Sequence, residues 1–235
     1  MEQMNDYEIR IAEAVKRGAT MEEMAQLHEP ACASPEQAIR ALRDGNGRFF
    51  NGNSALPVLS PMERRAQVVS QTPFAVVLGC SDSRVPVEIV FDQGAGSLFI
   101  VRLAGNVVGL SGQGSIEYAV KHLKVHAVVV MGHEGCGAVA ASMLDDEARA
   151  REPENVQKIL ERVRPAVADL PRIRDPKARM REAVIANVRL QVHELNKNPV
   201  VSEATARKQI AVIGAYYEIT SGAVDFFVTQ EELRL

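Results

Sequence analysis

Two short clusters carry residues able to share a metal ion: Cys80-Ser81-Asp82-Ser83-Arg84, and His133-Glu134-Gly135-Cys136-Gly137. Thiolate, imidazole and carboxylate are the ligand types zinc prefers. Two cysteines and one histidine form a catalytic set that leaves the fourth position for water. His133 and Cys136, three apart, can bite one ion from a single turn. Cys80 and Asp82, two apart, can both turn inward from an irregular loop. Cys80 and His133 are 53 positions apart, a separation that suits a strand–helix–strand crossover and not a zinc-finger hairpin. Two other readings of the cysteines stay open at this point. They could be small buried hydrophobes or a redox pair, although a chain without a secretory signal argues against a stable disulfide.

Such ligands need strands to position them. Phe74–Gly79, Leu98–Val101, and Val125 followed by Ala127–Met131 are short continuous apolar runs, the pattern of strands covered on both faces of a parallel sheet. Residues 115–123 read as the crossover helix that parallel neighbours require. Further helices are expected over 137–150, 154–168 and 176–196. Ser34-Pro35-Glu36-Gln37 is a capping signature, and its helix is expected to run to about Arg43 and stop near Gly45-Asn46-Gly47. Ile210–Ile213 and Ala223–Phe227 flank Thr220-Ser221-Gly222 as a terminal hairpin. The fold class is therefore α/β: a mostly parallel central sheet with an antiparallel edge hairpin, flanked by helices. Both ligand clusters fall at carboxyl ends of strands, where open α/β sheets place their sites.

Residues 1–34 stand apart as an N-terminal helical extension to a single 35–235 domain. Loose helical patches (Ile9, Ile11, Ala12, Val15, then Met21, Met24, Leu27) break at Gly18 and Pro30. They suit packing on a partner chain or a frayed extension. Across all 235 residues, 46% are hydrophobic and 24% charged, which excludes global disorder. The net charge of −3 gives no footprint for nucleic acid or an anionic membrane. No run is long enough to span a bilayer, and the acidic start is no signal peptide. The expected location is cytoplasmic. Three cysteines are no disulfide framework, and Cys32 reads as a free thiol.

The two clusters together resemble the β-class carbonic anhydrases. The likeness extends to Val85-Pro86, Phe91-Asp92-Gln93-Gly94, Phe99-Ile100-Val101-Arg102, Gly105-Asn106, Gly114–Tyr118 and Gly214–Tyr217, covering about residues 35 to 228. The resemblance implies a zinc enzyme that interconverts carbon dioxide and bicarbonate through a zinc-bound hydroxide, with Cys80, His133 and Cys136 as fixed ligands. It implies an Asp82–Arg84 dyad. When Arg84 holds Asp82 the fourth position is open, and when the pair breaks Asp82 can ligate the metal and close the site. It implies a substrate pocket of Gln71, Phe99, Ala104, Tyr118 and the Gly137 amide, and a homodimer or homotetramer in which Gln71, Phe99 and Tyr118 face a neighbour's metal. A bicarbonate-gated branch carries tryptophan where this chain has Val77, and the chain contains no tryptophan, so plant-type behaviour is expected. Two alternatives remain: a relative acting on carbon disulfide or carbonyl sulfide, and a non-enzymatic zinc protein closed by Asp82. His122 and His126 have the spacing of a ligand pair on one helical face, but His126 is expected to open a strand. His28 and His193 read as helix-surface residues. Gly94-Ala95-Gly96 and Gly112-Gln113-Gly114 do not complete a dinucleotide fingerprint.

Overall fold

In the computed structural model, residues 6–20, 23, 32–56, 59–68 and 71–228 are described. Their elements are α1 (Asp6–Lys16), α2 (Pro35–Phe50), α3 (Pro61–Ala66), β1 (Ala75–Gly79), α4 (Val87–Val90), β2 (Leu98–Arg102), a 3₁₀ turn (Ala104–Asn106) and α5 (Leu110–Lys121). They continue with β3 (Ala127–His133), α6 (Gly137–Ser142), α7 (Asp146–Ala150), α8 (Glu154–Val167), α9 (Pro176–Asn196), α10 (Pro199–Ala206), β4 (Ala211–Tyr217) and β5 (Val224–Val228).

The strands form one sheet in the order β2-β1-β3-β4-β5. The first three pairings are parallel and β4–β5 is antiparallel, as the apolar runs and the terminal hairpin led us to expect. Alternation along the central strands explains why those runs are continuous. Val76, Leu78, Val128 and Val130 pack on one face with Ile116, Val163, Val184 and Val188. Ala75, Val77, Val129 and Met131 pack on the other with Leu42, Phe74 and Phe91. Every residue of β1 and β3 is buried. β2 departs from the expectation of burial on both faces. It is the sheet edge, and only Val101 of its five residues is buried.

Three helix boundaries also differ. α2 does not stop at Gly45; it runs through to Phe50. Gly45 is needed for close approach, since a Cβ there would lie 1.9 Å from the Phe91 carbonyl oxygen. Asn46 is buried and donates to the carbonyls of Val90 (3.1 Å) and Gly222 (2.9 Å) while accepting from the Val224 amide (2.9 Å). Residues that read as a stop signal are thus a packing face and a crosslink to the hairpin. The crossover helix α5 starts at Leu110, and the 137–150 stretch divides in two where Asp145 caps α7 by accepting from the Ala148 amide. α1 bears the first N-terminal patch and ends before Gly18, which has φ +71°. Met21, Met24, Leu27, Pro30 and His28 lie outside the described residues. Among the described residues no helix is long and apolar enough to cross a membrane.

Candidate metal centre

β1 delivers Cys80 one residue past its end, β3 ends on His133, and Cys136 caps α6. Because β1 and β3 are hydrogen-bonded parallel neighbours, the three arrive together. One ligand atom from each lies within 4.8 Å of the others. All three residues are buried, and the two sulfurs are 4.0 Å apart with no disulfide between them.

His133 fixes the chemistry of the cluster. Its Nδ1 lies 2.9 Å from the Glu134 carbonyl oxygen. A carbonyl can only accept, so Nδ1 carries the proton and Nε2 presents a lone pair. That Nε2 is buried with no hydrogen-bond partner. A bare lone pair in a buried cage is costly to leave unpaired, and a cation held with two sulfurs would satisfy it. The residues present therefore fit a zinc ion. Without a cation the sulfurs cannot both ionise at this separation. The Cys136 thiol donates to Cys80 and, with the amides of Asp82 and Gly105, outweighs burial and pulls the Cys80 thiol well below its ordinary value. The same contact, with burial, pushes Cys136 far up. A divalent cation would favour the thiolate at both.

Asp82 sits beside this cage, with its carboxylate 3.9 Å from His133 Nε2. Arg84 grips it with Nε (2.9 Å) and Nη2 (2.7 Å), and the Arg84 amide adds a third bond (2.9 Å). The guanidinium outweighs partial burial and holds the Asp82 carboxyl well below the usual carboxylate range. Arg84 also reaches the Gly135 carbonyl at 3.3 Å, tying the two ligand loops together.

Residues that the sequence did not mark as functional also shape the site. Arg102 donates to the carbonyls of Cys80 (2.8 Å) and Asp82, bracing the first ligand loop. The signal for it was register, since β2 pairs Arg102 with Gly79. Glu134, an unusual filler between ligands, accepts from the Thr220 amide (2.9 Å) and hydroxyl (2.8 Å), anchoring the second loop to the β4–β5 turn. From α9, Asn187 donates to the Gly105 carbonyl at 2.9 Å and Gln191 accepts from the Val108 amide at 2.7 Å. This pair holds the segment whose Gly105 amide faces Cys80. Asn106, next in that segment, is fully buried with both side-chain polar atoms unpartnered.

Of the other expected pocket residues, Gly137 opens α6 beside Cys136 and Ala104 opens the 3₁₀ turn. Gln71, Phe99 and Tyr118 are not brought to the metal cage of their own chain. Strand direction is the reason. Phe99 pairs with Val76, four residues short of Cys80 and so ~13 Å away along the strand. Gln71 lies before β1, beyond the opposite end, and is exposed. Tyr118 is 47% exposed, and its ring centre is 6.2 Å from that of Phe99. Val77 is buried in the sheet core.

A family model described as carbonic anhydrase matches residues 75–224, spanning both ligand clusters. The chain belongs to the β-carbonic anhydrase family. The carbonic anhydrase of Mycolicibacterium smegmatis is 38% identical over 199 residues, covering 82% of this chain and 93% of that protein. Carbonic anhydrase 2 of Mycobacterium tuberculosis is 39% identical over 190 residues, covering 80% and 91%. Among solved structures, a tetrameric β-carbonic anhydrase from Sordaria macrospora superposes with a TM-score of 0.65 at 27% identity, covering 82% of this chain and 95% of that one. Within this β-carbonic anhydrase, the matched region holds Cys80, Asp82, Arg84, His133 and Cys136 but not Gln71.

Proposed function

We propose that the chain is a zinc-dependent carbonate dehydratase that interconverts carbon dioxide and bicarbonate, with Cys80, His133 and Cys136 holding the metal. The observation that carries this reading is the buried, partnerless Nε2 of His133 facing two sulfurs beside an Arg-held carboxylate. Zinc bound there supplies a Lewis acid that lowers the pKa of water to about 7. The protein's own residues do the rest. Asp82, kept ionised, accepts a hydrogen bond from the reacting water and sets which lone pair faces the substrate. Arg84 holds the Asp82 carboxylate beside the cage, where without that grip it would be free to act as a further ligand. The Gly137 amide, in the first turn of α6 where amides lack intrahelical acceptors, donates to the product oxygen, and Ala104 leaves room beside it.

Gln71, Phe99 and Tyr118 complete the pocket of a second copy, in a homodimer or a tetramer built from it. Their distance from their own cage and the exposure of Gln71 and Tyr118 support this. Residues 35–235 form the catalytic unit. Helix α1 packs on the partner, as its exposed Ile9 and Val15 suggest. Val77 gives plant-type behaviour without bicarbonate gating. We place the enzyme in the cytoplasm, where reducing conditions preserve the ligand thiols. Carbon dioxide hydration by the zinc-loaded protein across pH 7–9 tests the assignment, and no activity anywhere in that window would refute it.

A further inference from the structure

The end of the sheet opposite the metal cage holds a cavity of about 650 Å³, within the size range of small-molecule sites. It lies below the starts of β3 and β4, ~20 Å from the cage by the length of β3. Its floor includes the buried Val125, Ala204 and Ile210. Its rim includes Lys121, Lys124 and Lys208, none of which forms a salt bridge among the described residues. Arg207 on the same wall is paired with Glu203, and Glu36 is the other acid of the lining. Four cations against two acids leave a positive mouth on a chain whose net charge is −3.

Two of these lysines occupy an unusual backbone. Lys124 and Lys208 have φ +54° and +57°. Each lies in a short helix-to-strand link, Lys124 between α5 and β3 and Lys208 between α10 and β4. At Lys208 the closure is plain: its amide reaches the Thr205 carbonyl, and the next amide, of Gln209, reaches that of Ala204. Glycine or asparagine is the usual occupant of such a position, because a Cβ is disfavoured there. At both places the chain carries a long cation instead, and both cations line the same cavity. We infer that this cavity binds an amphiphilic anion: a carboxylate or phosphate head at the lysine rim with an apolar body on the Val125–Ile210 floor. The site is independent of the reaction proposed for the metal cage.

Calorimetric titration of the zinc-loaded full chain with octanoate, octyl phosphate, 1-octanol and inorganic phosphate reads the site. We expect one saturable site for octanoate or octyl phosphate, the tighter of the two identifying the head group, with 1-octanol and inorganic phosphate at least tenfold weaker. K124E/K208E should weaken the anion at least tenfold. K124G/K208G, which suits the backbone, should weaken binding while keeping or raising Tm, separating charge from fold. Absence of saturable binding, equal binding of 1-octanol, or affinity unchanged by either double variant would overturn the proposal.

Discussion

Gly132 links the fold to the metal cage. It precedes the ligand His133 in β3, and α9 crosses directly over it. A methyl group added at Gly132 would lie 2.5 Å from Val184 Cγ1 and 2.7 Å from Val188 Cγ2. Carbon atoms prefer about 3.5–4.0 Å, so the overlap approaches about 1 Å at two points. Neither neighbour can yield cheaply. Both are fully buried or nearly so, and β-branched side chains in helices have one strongly preferred rotamer. Overpacking of this kind costs about 1–3 kcal/mol. With two stiff contacts we expect Gly132→Ala to cost about 2 kcal/mol, a fall in Tm of about 4–8 °C for a chain of this size. The strand can relieve the clash only by sliding or tilting, which moves His133, so zinc affinity should fall with stability. Val188→Ala opens space on the clashing side and should recover part of the loss. The double variant is expected to be more stable than the sum of the singles by about 1 kcal/mol or more. Thermal unfolding of the four proteins, with zinc titration against a chelator, measures both effects. An unchanged Tm in Gly132→Ala, or strict additivity with Val188→Ala, would show that helix packing does not set the ligand's position.

The remaining expectations concern the cage and its supports. Cys136→Ala should purify with little zinc by elemental analysis, whereas Asp82→Asn should retain zinc and lose carbon dioxide hydration; full rate in the latter removes Asp82 from the mechanism. Asn46→Ala deletes two buried hydrogen bonds and one part-buried one and should cost about 3 kcal/mol, readable as a urea midpoint shift; no shift would mean the hairpin is held by apolar packing alone. Burial pushes the Asp92 carboxyl up, but the Arg48 guanidinium and the Ala55 and Leu56 amides outweigh it, and the group is held below its ordinary value. A depressed folded pKa stabilises above the unfolded value of about 4 and loses that contribution as pH falls through the folded one. Tm should therefore drop more steeply below pH 5 in the natural protein than in Asp92→Asn, and parallel curves would contradict the linkage.

What the sequence revealed depended on how local its signals were. The parallel sheet was legible because β1 and β3 are buried on both faces and so read as unbroken apolar runs. The Cys80–His133–Cys136 cluster is legible because metal-ligand chemistry restricts residue type, and strand ends restrict place. The end of α2 is not legible locally because Gly45 and Asn46 answer to Phe91 and Gly222, partners distant in sequence that no local signal names. Arg102, Asn187 and Gln191 were passed over for a similar reason. Their targets are backbone carbonyls and amides, which leave no trace in residue type. Phe99 and Tyr118 were singled out by resemblance alone, and strand direction puts them far from their own cage.

The delivery of ligands from adjacent strand ends has a thermodynamic consequence. In small zinc modules the unfolded chain has no site, and metal affinity is consumed in ordering the ligands. Here the crossover, the sheet and α9 have already fixed Cys80, His133 and Cys136, and the entropy of closing a 53-residue span is met by core packing. An ion held there would then keep almost all of its binding free energy as affinity. Stripping the metal should leave an ordered protein with an intact ligand geometry, ready to discriminate among incoming ions by size and softness instead of adapting to whichever arrives first.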